Sequence, residues 1–188
     1  SQTSNCGYGA GAGWGNVTGG HKIGKNVIAT AALDQNDGLA NFSSVGPAAD
    51  GRLKPGISAF GVSVRMPTSN NGYTNSGGTS FSAPAVAGVA AQLYDAYRTL
   101  NAGADTDSAF VKVLMLNTAD DLGNPGPDFK FGYGRVNALR AAEVLENNQY
   151  LESTISNTGM NNHSITVPSG VAQVKEMLYW ADPEAATL

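Results

Sequence analysis

The 188-residue chain is poor in charged residues and contains a single cysteine. Lys and Arg number 11 against 15 Asp and Glu, so the formal net charge is −4, and no stretch is basic enough to follow a phosphate backbone. One cysteine, Cys6, leaves no internal disulfide framework and no CxxC zinc site. The longest apolar run, Ala83–Ala91, is far shorter than the roughly 20 residues of a membrane span. These absences argue against nucleic-acid-binding, disulfide-stapled and membrane-spanning proteins.

The chain is rich in glycine and contains a moderate fraction of hydrophobic residues. There are 24 glycines, and 41% of the residues are hydrophobic, which is enough for a core. The patterns predict strands at Asn26–Leu33, around Ala40–Ser43 and at Ile57–Met66, with a polar loop over Pro67–Gly78. They predict helices from Ser80 to Leu100, from Ser108 to Thr118 after an Asp107 N-cap, and after an Asn137 N-cap. The first helix is rich in Ala and Gly, so we expect it to be buried on most sides.

The character of the sequence changes near residue 149. Three short segments of strand-like composition follow, LESTI, HSITV and KEMLYW, separated by SNTGMNN and PSG. We therefore place a domain boundary there, with an α/β part over residues 1–148 and the start of an incomplete all-β module over residues 149–188.

The strongest local feature is GGTSFSAPAVAG, Gly77 to Gly88, in which a glycine-rich loop turns into a helix. Ser80 would lie at the helix N-terminus, where free N–H groups and the helix dipole favour the negative charge that nucleophilic attack creates. Pro84 fits the first turn, which has no bonded N–H to lose. Local physics alone leaves a second interpretation open, in which Ser80 or Thr79 is only an N-cap.

The order of segments resembles the subtilisin-like serine proteases. Gly78-Thr79-Ser80 with Pro84 and Val86-Ala87-Gly88 is similar to the family's nucleophile segment. Three further segments are similar to family motifs in the same order, namely Asn26–Leu33 with Phe42–Pro47, Lys54–Gly61, and Phe131–Asn137. The resemblance covers roughly residues 1–147 and implies an α/β fold with a parallel sheet, the C-terminal half of a subtilisin-like domain, and Ser80 as nucleophile.

The resemblance also implies an oxyanion-hole residue. Family members carry S-G-N before a glycine-rich loop, and Thr3-Ser4-Asn5 stands at that place with Ser4 in place of the usual Gly. Asn5 is therefore the expected side-chain donor to the oxyanion, beside the backbone N–H of Ser80. Removing such a donor typically costs about 3–4 kcal/mol of transition-state stabilisation.

A serine nucleophile also needs a general base and a residue that orients it. The family's His lies in H-G-T and its Asp in D-x-G, both before the segment seen here. His21 lies in GGHKIGK and His163 in NNHSITV, so neither matches, and we interpret both as surface residues. We therefore expect a fragment that lacks the family His and Asp and is inactive alone. Its partner would be the N-terminal half of the catalytic domain, which supplies both.

Metal sites receive little support from the sequence. The loops Asp34–Gly38 and Asp120–Asp128 contain carboxylates of the kind that Ca²⁺ favours, and related proteases often bind Ca²⁺. No position matches a family site, so we place no metal ligand, interpret these residues as solvated turns, and expect no cofactor for the chemistry.

The resemblance is strongest to alkaline subtilases with a C-terminal jelly-roll-like domain, in which Asp50-Gly51-Arg52 and Trp180-Ala181-Asp182-Pro183 have counterparts. It implies a secreted serine endopeptidase that cleaves polypeptides through an acyl-enzyme on Ser80. The alternative is a non-catalytic binding or adhesion module derived from a protease fold.

Overall fold

The computed structural model describes residues 13–156 and 158–181. A 3₁₀ turn at Gly20–Ile23 precedes the first strand. The strands are β1 (Thr30–Leu33), β2 (Ile57–Phe60), β3 (Val64–Pro67) and β4 (Tyr73–Ser76). The helices are α1 (Thr79–Leu100), α2 (Ser108–Thr118) and α3 (Ala138–Glu146). This succession of strands and helices along the chain is that of an α/β protein.

The centre of the fold is a parallel strand pair. β1 and β2 run side by side with Thr30 opposite Ile57 and Leu33 opposite Phe60. Their small and aliphatic side chains are almost fully buried, as expected for parallel strands covered on both faces.

The segment at residues 132–136 extends this pair along β2. The Tyr133 N–H donates to Gly56 O at 2.9 Å, and the Val136 N–H donates to Ser58 O at 2.9 Å. Gly134 within it has φ 111°, and a Cβ there would collide with the Asp120 carbonyl, so the segment requires glycine at this position.

The three helices pack on the strands and on one another. α1 contacts both β1 and β2 and also α2 and α3. Its buried residues join those of β2, α2 and α3 in one hydrophobic core, whose most enclosed members include Ile57, Met115 and Ala141. The Asn137 side chain accepts the Arg140 N–H at 2.9 Å and caps α3 as predicted. Asp107 precedes α2 as predicted, but its side chain makes no capping hydrogen bond.

The predicted strand Ile57–Met66 is wrong in one respect, because the structure divides it. The chain turns at Gly61–Ser63, where Ser63 has φ 58°, and β3 then pairs with β4 as an antiparallel hairpin. β4 lies within the segment predicted as a loop. Around Ala40–Ser43 the structure has a single bridge, between Leu39 and Leu33, and no strand.

The predicted strands after residue 149 have no counterpart in the described residues. Within residues 149–156 and 158–181 no strand is formed, and the apolar side chains of this part lie largely exposed. The segment contacts the rest of the molecule at a few points, such as Tyr179, whose hydroxyl accepts from Lys112 Nζ at 2.8 Å.

Lys54 is a buried cation that ties two loops together. Only 4% of its surface is exposed, and its Nζ donates to Gly24 O at 2.9 Å and to Val27 O at 2.8 Å. These bonds hold the segment before β1 against the segment before β2. Burial, with a smaller contribution from the charge of Lys112, lowers the pKa of Lys54 to about 8.

Gly61 brings the first turn of α1 against the ends of β1 and β2. Its N–H donates to Leu33 O at 2.9 Å, and its carbonyl accepts the Gly78 N–H at 2.8 Å. A Cβ at Gly61 would collide with Ser82 Oγ and meet Gly78 O. Ser82 is fully buried at this contact, and its hydroxyl has no hydrogen-bond partner within residues 13–156 and 158–181. The contact therefore needs glycine on one side and a small residue on the other.

Replacing Lys54 by Met should flatten the alkaline stability profile. The unfolded chain binds the Lys54 proton more tightly than the folded chain between pH 8 and 10.5, so the wild-type free energy of unfolding rises with pH across this window. Urea unfolding at several pH values measures the slope. Lys175, whose pKa burial also lowers, contributes equally to both proteins. Parallel slopes for wild type and Lys54→Met would contradict the prediction.

Replacing Ser82 by Ala should stabilise the protein. The substitution removes a buried hydroxyl that has no hydrogen-bond partner in the described part of the chain, with a gain of about 1 kcal/mol in the free energy of unfolding. Gly61→Ala, on the other side of the same contact, should cost about 1–3 kcal/mol because the added methyl group overpacks it. Denaturant unfolding measures both, and a destabilised Ser82→Ala variant would show that the hydroxyl has a partner after all.

Candidate active site

Ser80 lies exposed in the first turn of α1. The helix begins at Thr79, and Gly78 occupies the N-cap position without a side-chain capping bond. The N-cap interpretation of Ser80 or Thr79 is therefore not the arrangement seen. Pro84 lies inside the helix and beyond its first turn, contrary to the expectation, because the helix starts earlier than Ser80. Among the described residues no hydrogen bond occupies Ser80 Oγ, so the hydroxyl is open to an incoming group.

The backbone around Ser80 favours negative charge. No Asp or Glu lies in the first turn of α1, so the helix itself places no carboxylate against the positive end of its dipole. The loop before it is held in place because the Gly78 N–H donates to Gly61 O, and a Cβ at Gly77 would approach that same carbonyl to 3.2 Å. An exposed hydroxyl at a fixed helix N-terminus is an arrangement that serves nucleophilic attack on a carbonyl.

The other residues named from the sequence divide into two groups. Asn5 lies outside the described residues, as does Cys6. His21, in the 3₁₀ turn, and His163 are both exposed, in agreement with their interpretation as surface residues. Neither forms a hydrogen bond with Ser80 among the described residues. The structure thus describes one of the two predicted site residues, and their roles remain predictions.

The face of α1 that continues from Ser80 is exposed, contrary to the expectation of a helix buried on most sides. Ser82, Val86 and Leu93 point into the core, whereas Ala83, Ala87, Gly88 and Ala91 lie on the open side. We call these four residues the small-residue face. A Cβ added at Gly88 would meet no atom within 4 Å. The face is smooth, apolar and contiguous with the serine.

An ion-pair network fixes the turn that follows β1. The Arg135 guanidinium donates to both carboxylate oxygens of Asp37, at 2.9 and 2.8 Å, and to Asp120 at 3.0 Å. Burial of the Asp120 carboxyl opposes its ionisation, but hydrogen bonds from Arg135 and Asn137 and the charge of Arg140 together hold its pKa below the usual value. The Phe131–Asn137 segment therefore orders the turn at the sheet edge.

Sequence reasoning missed a polar cavity at that edge. It has a volume of about 410 Å³ and is lined by residues that follow β1, by the end of β2 and the turn after it, and by β4, among them Asp34, Asn36, Phe60, Ser63 and Asn75. We call it the strand-end cavity. Its residues come from three separate segments. Only the position of Asp34 directly after a buried strand could have indicated it.

Within residues 13–156 and 158–181 no helix has the length and apolarity to cross a bilayer. Nor do three or more His, Cys, Asp or Glu side chains come together there as a set of metal ligands.

Comparison with known proteins is consistent with the fold and the serine segment. Subtilisin DY of Bacillus licheniformis is 37% identical over 118 residues, which are 63% of this chain and 38% of that protein. The PII-type proteinase of Lactococcus lactis subsp. cremoris is 33% identical over 146 residues, covering 67% of this chain and 8% of the relative. The chain thus spans well under half the length of these relatives.

Solved structures and a family model agree with these relatives. The CspB protease of Clostridium perfringens superposes with a TM-score of 0.64 at 27% identity, over 72% of this chain and 30% of that one. The model of the subtilase family matches residues 2–134, which is most of the chain and includes Ser80. The chain belongs to the subtilase family of serine proteases.

Proposed function

We propose that this chain is part of a secreted serine endopeptidase in which Ser80 is the nucleophile. The observation that carries the proposal is the exposed Ser80 hydroxyl at the N-terminus of α1, whose first turn contains no carboxylate. The relatives named as subtilisin and proteinases support peptide-bond hydrolysis as the reaction.

The chemistry follows from this placement. Ser80 Oγ attacks the scissile carbonyl, and its proton passes to a general base. The negative charge that develops on the carbonyl oxygen is stabilised by the Ser80 backbone N–H and, in this proposal, by the Asn5 side chain. The amine leaves with a proton returned by the base, and water hydrolyses the acyl-enzyme. No cofactor enters these steps.

The proposed partner of the small-residue face is a further segment of a subtilase domain that carries the His and Asp. The face continues from Ser80, so a segment packed on it would lie beside the nucleophile. Its Ala and Gly side chains permit close approach of another backbone, and its apolar surface would be removed from water. The share of subtilisin DY that this chain leaves uncovered is large enough to supply such a segment.

Residues 149–188 are proposed as the first strands of an appended β-sandwich, separate from the peptidase part at 1–148. The support for this proposal is that exposed apolar side chains recur through the described part of this segment. Packing against further strands would remove their surface from water. Those with more than half of their surface exposed are Leu151, Ile155, Met160, Ile165, Leu178 and Trp180.

A fluorophosphonate probe should label the natural protein that carries this sequence, and the label should lie on Ser80. The probe reacts with a serine only when a base activates it, so intact mass followed by peptide mapping reports the nucleophile directly. Ser80→Ala should abolish labelling, whereas Ser82→Ala, two residues further along the helix, should leave it unchanged. Unlabelled wild type would favour the non-catalytic binding module.

Gly88→Leu should slow fluorophosphonate labelling of Ser80 at least about tenfold without destabilising the described fold. The side chain enters open space here and improves helix propensity by up to about 1 kcal/mol, but it would obstruct a segment docked on the small-residue face. Gly88→Ala is the matched control, since it improves propensity with little bulk. Equal labelling rates for both variants would show that the face has no partner near the nucleophile.

A further inference from the structure

The strand-end cavity lies where α/β sheets commonly bind ligands. In open sheets of this class, ligands bind outside the carboxyl ends of parallel strands. Asp34 and Asn36 directly follow β1, while Phe60 is the last residue of β2 and Ser63 belongs to the turn after it. Two neighbouring strand ends therefore open into one cavity of about 410 Å³.

The lining of this cavity favours a positively charged group that donates several hydrogen bonds. Among the described residues that line it, Asp34 is the one that carries a charge. The carboxylate is held in place because its Oδ1 accepts the N–H groups of Asn36 at 2.8 Å and Gly38 at 2.9 Å. Among the described residues, no donor is hydrogen-bonded to its Oδ2. Asn36, Ser63 and Asn75 add amide and hydroxyl oxygens that accept hydrogen bonds.

Two arginines in the described part of the chain have their partners outside the cavity. Arg135 is paired with Asp37 and Asp120, and the Arg65 guanidinium lies over the Tyr73 ring, 5.1 Å from its centroid. Neither lines the cavity. The side chain of Phe60 is 45% exposed and supplies a flat apolar wall at the same place. Guanidinium groups both stack on aromatic rings and bind carboxylates, whereas an ammonium group is a more strongly hydrated point charge.

The cavity adjoins the nucleophile loop. A Cβ at Gly77 would lie 3.5 Å from the backbone N of Ser63, and the Gly78 N–H is bonded to Gly61 O in the same turn. Asn75, at the other side of the cavity, precedes Ser80 by five residues of chain. A polypeptide bound at Ser80 would thus pass close to the cavity.

We infer that the strand-end cavity is a subsite for an arginine side chain of the polypeptide substrate, held by Asp34 and stacked on Phe60. This inference rests on the proposed function, because it takes the bound polypeptide from it. The Arg135–Asp37 ion pair serves the subsite by fixing the turn that presents the Asp34 carboxylate.

The test is a titration of the ¹⁵N-labelled natural protein that carries this sequence with Nα-acetyl-arginine methylamide, followed through its amide resonances. The expected result is saturable shifts of the Asn36, Gly38 and Ser63 amides. Nα-acetyl-citrulline methylamide, which has nearly the same shape without the charge, should bind about fivefold more weakly, as expected for one partly exposed ion pair.

Two variants complete the experiment. Asp34→Asn should reduce arginine affinity about fivefold and remove the preference over citrulline, whereas Asp95→Asn, on the exposed side of α1, should change neither. Equal binding of arginine and citrulline, or shifts confined to other residues, would overturn the inference while leaving fluorophosphonate labelling of Ser80 intact. Arginine binding at the cavity without labelling would instead refute the proposed function, and with it the role of the cavity as a substrate subsite.

Discussion

The missing side chain at Gly61 is the constraint on which the arrangement around Ser80 depends. At this residue the end of β1, the end of β2 and the loop before α1 meet through two backbone hydrogen bonds, from Gly61 to Leu33 and from Gly78 to Gly61. A methyl group there would displace Ser82 and with it the first turn of α1. Because a protein interior is close-packed, such a displacement would be transmitted to the nucleophile two residues earlier in the helix. The position of the serine is therefore set by packing on the sheet and by the helix start together.

Charged groups reinforce the loops on both ends of the parallel strands. Lys54 joins the segments that enter β1 and β2 through two backbone carbonyls, at a cost in desolvation that its lowered pKa reflects. At the opposite end Arg135 joins the turn after β1 to Asp120. The two ends differ in chemistry. The entering end is closed by a buried cation, whereas the leaving end opens into the strand-end cavity and lies beside Ser80, which is where binding is expected in this class of sheet.

The small-residue face of α1 is an exposed surface that the proposed partner segment would cover. The small-residue face of α1 is apolar and contiguous with Ser80. The chain belongs to the subtilase family but spans well under half the length of the relatives named above. Alanine favours a helix even on a solvated surface, but a face made only of small side chains also permits a second backbone to approach closely. The proposal that a further segment with the general base docks there accounts for both the composition of α1 and its exposure.

Local signals in the sequence were sufficient for some elements of this protein. Side chains that act within a few residues of themselves determine three features, namely the bounds of α2, the Asn137 cap of α3 and the place of Ser80 at a helix start. The resemblance to serine proteases rests on local motifs of the same kind. The hairpin β3–β4 had such a signal in Asn71-Gly72, which the polar composition of its loop obscured. Contacts between distant segments decided the rest. Backbone groups far away in sequence determine the break of the chain after Phe60, the burial of Lys54 and the cavity at the strand ends. Hydrogen bonding and close packing act between groups that only the folded chain brings together.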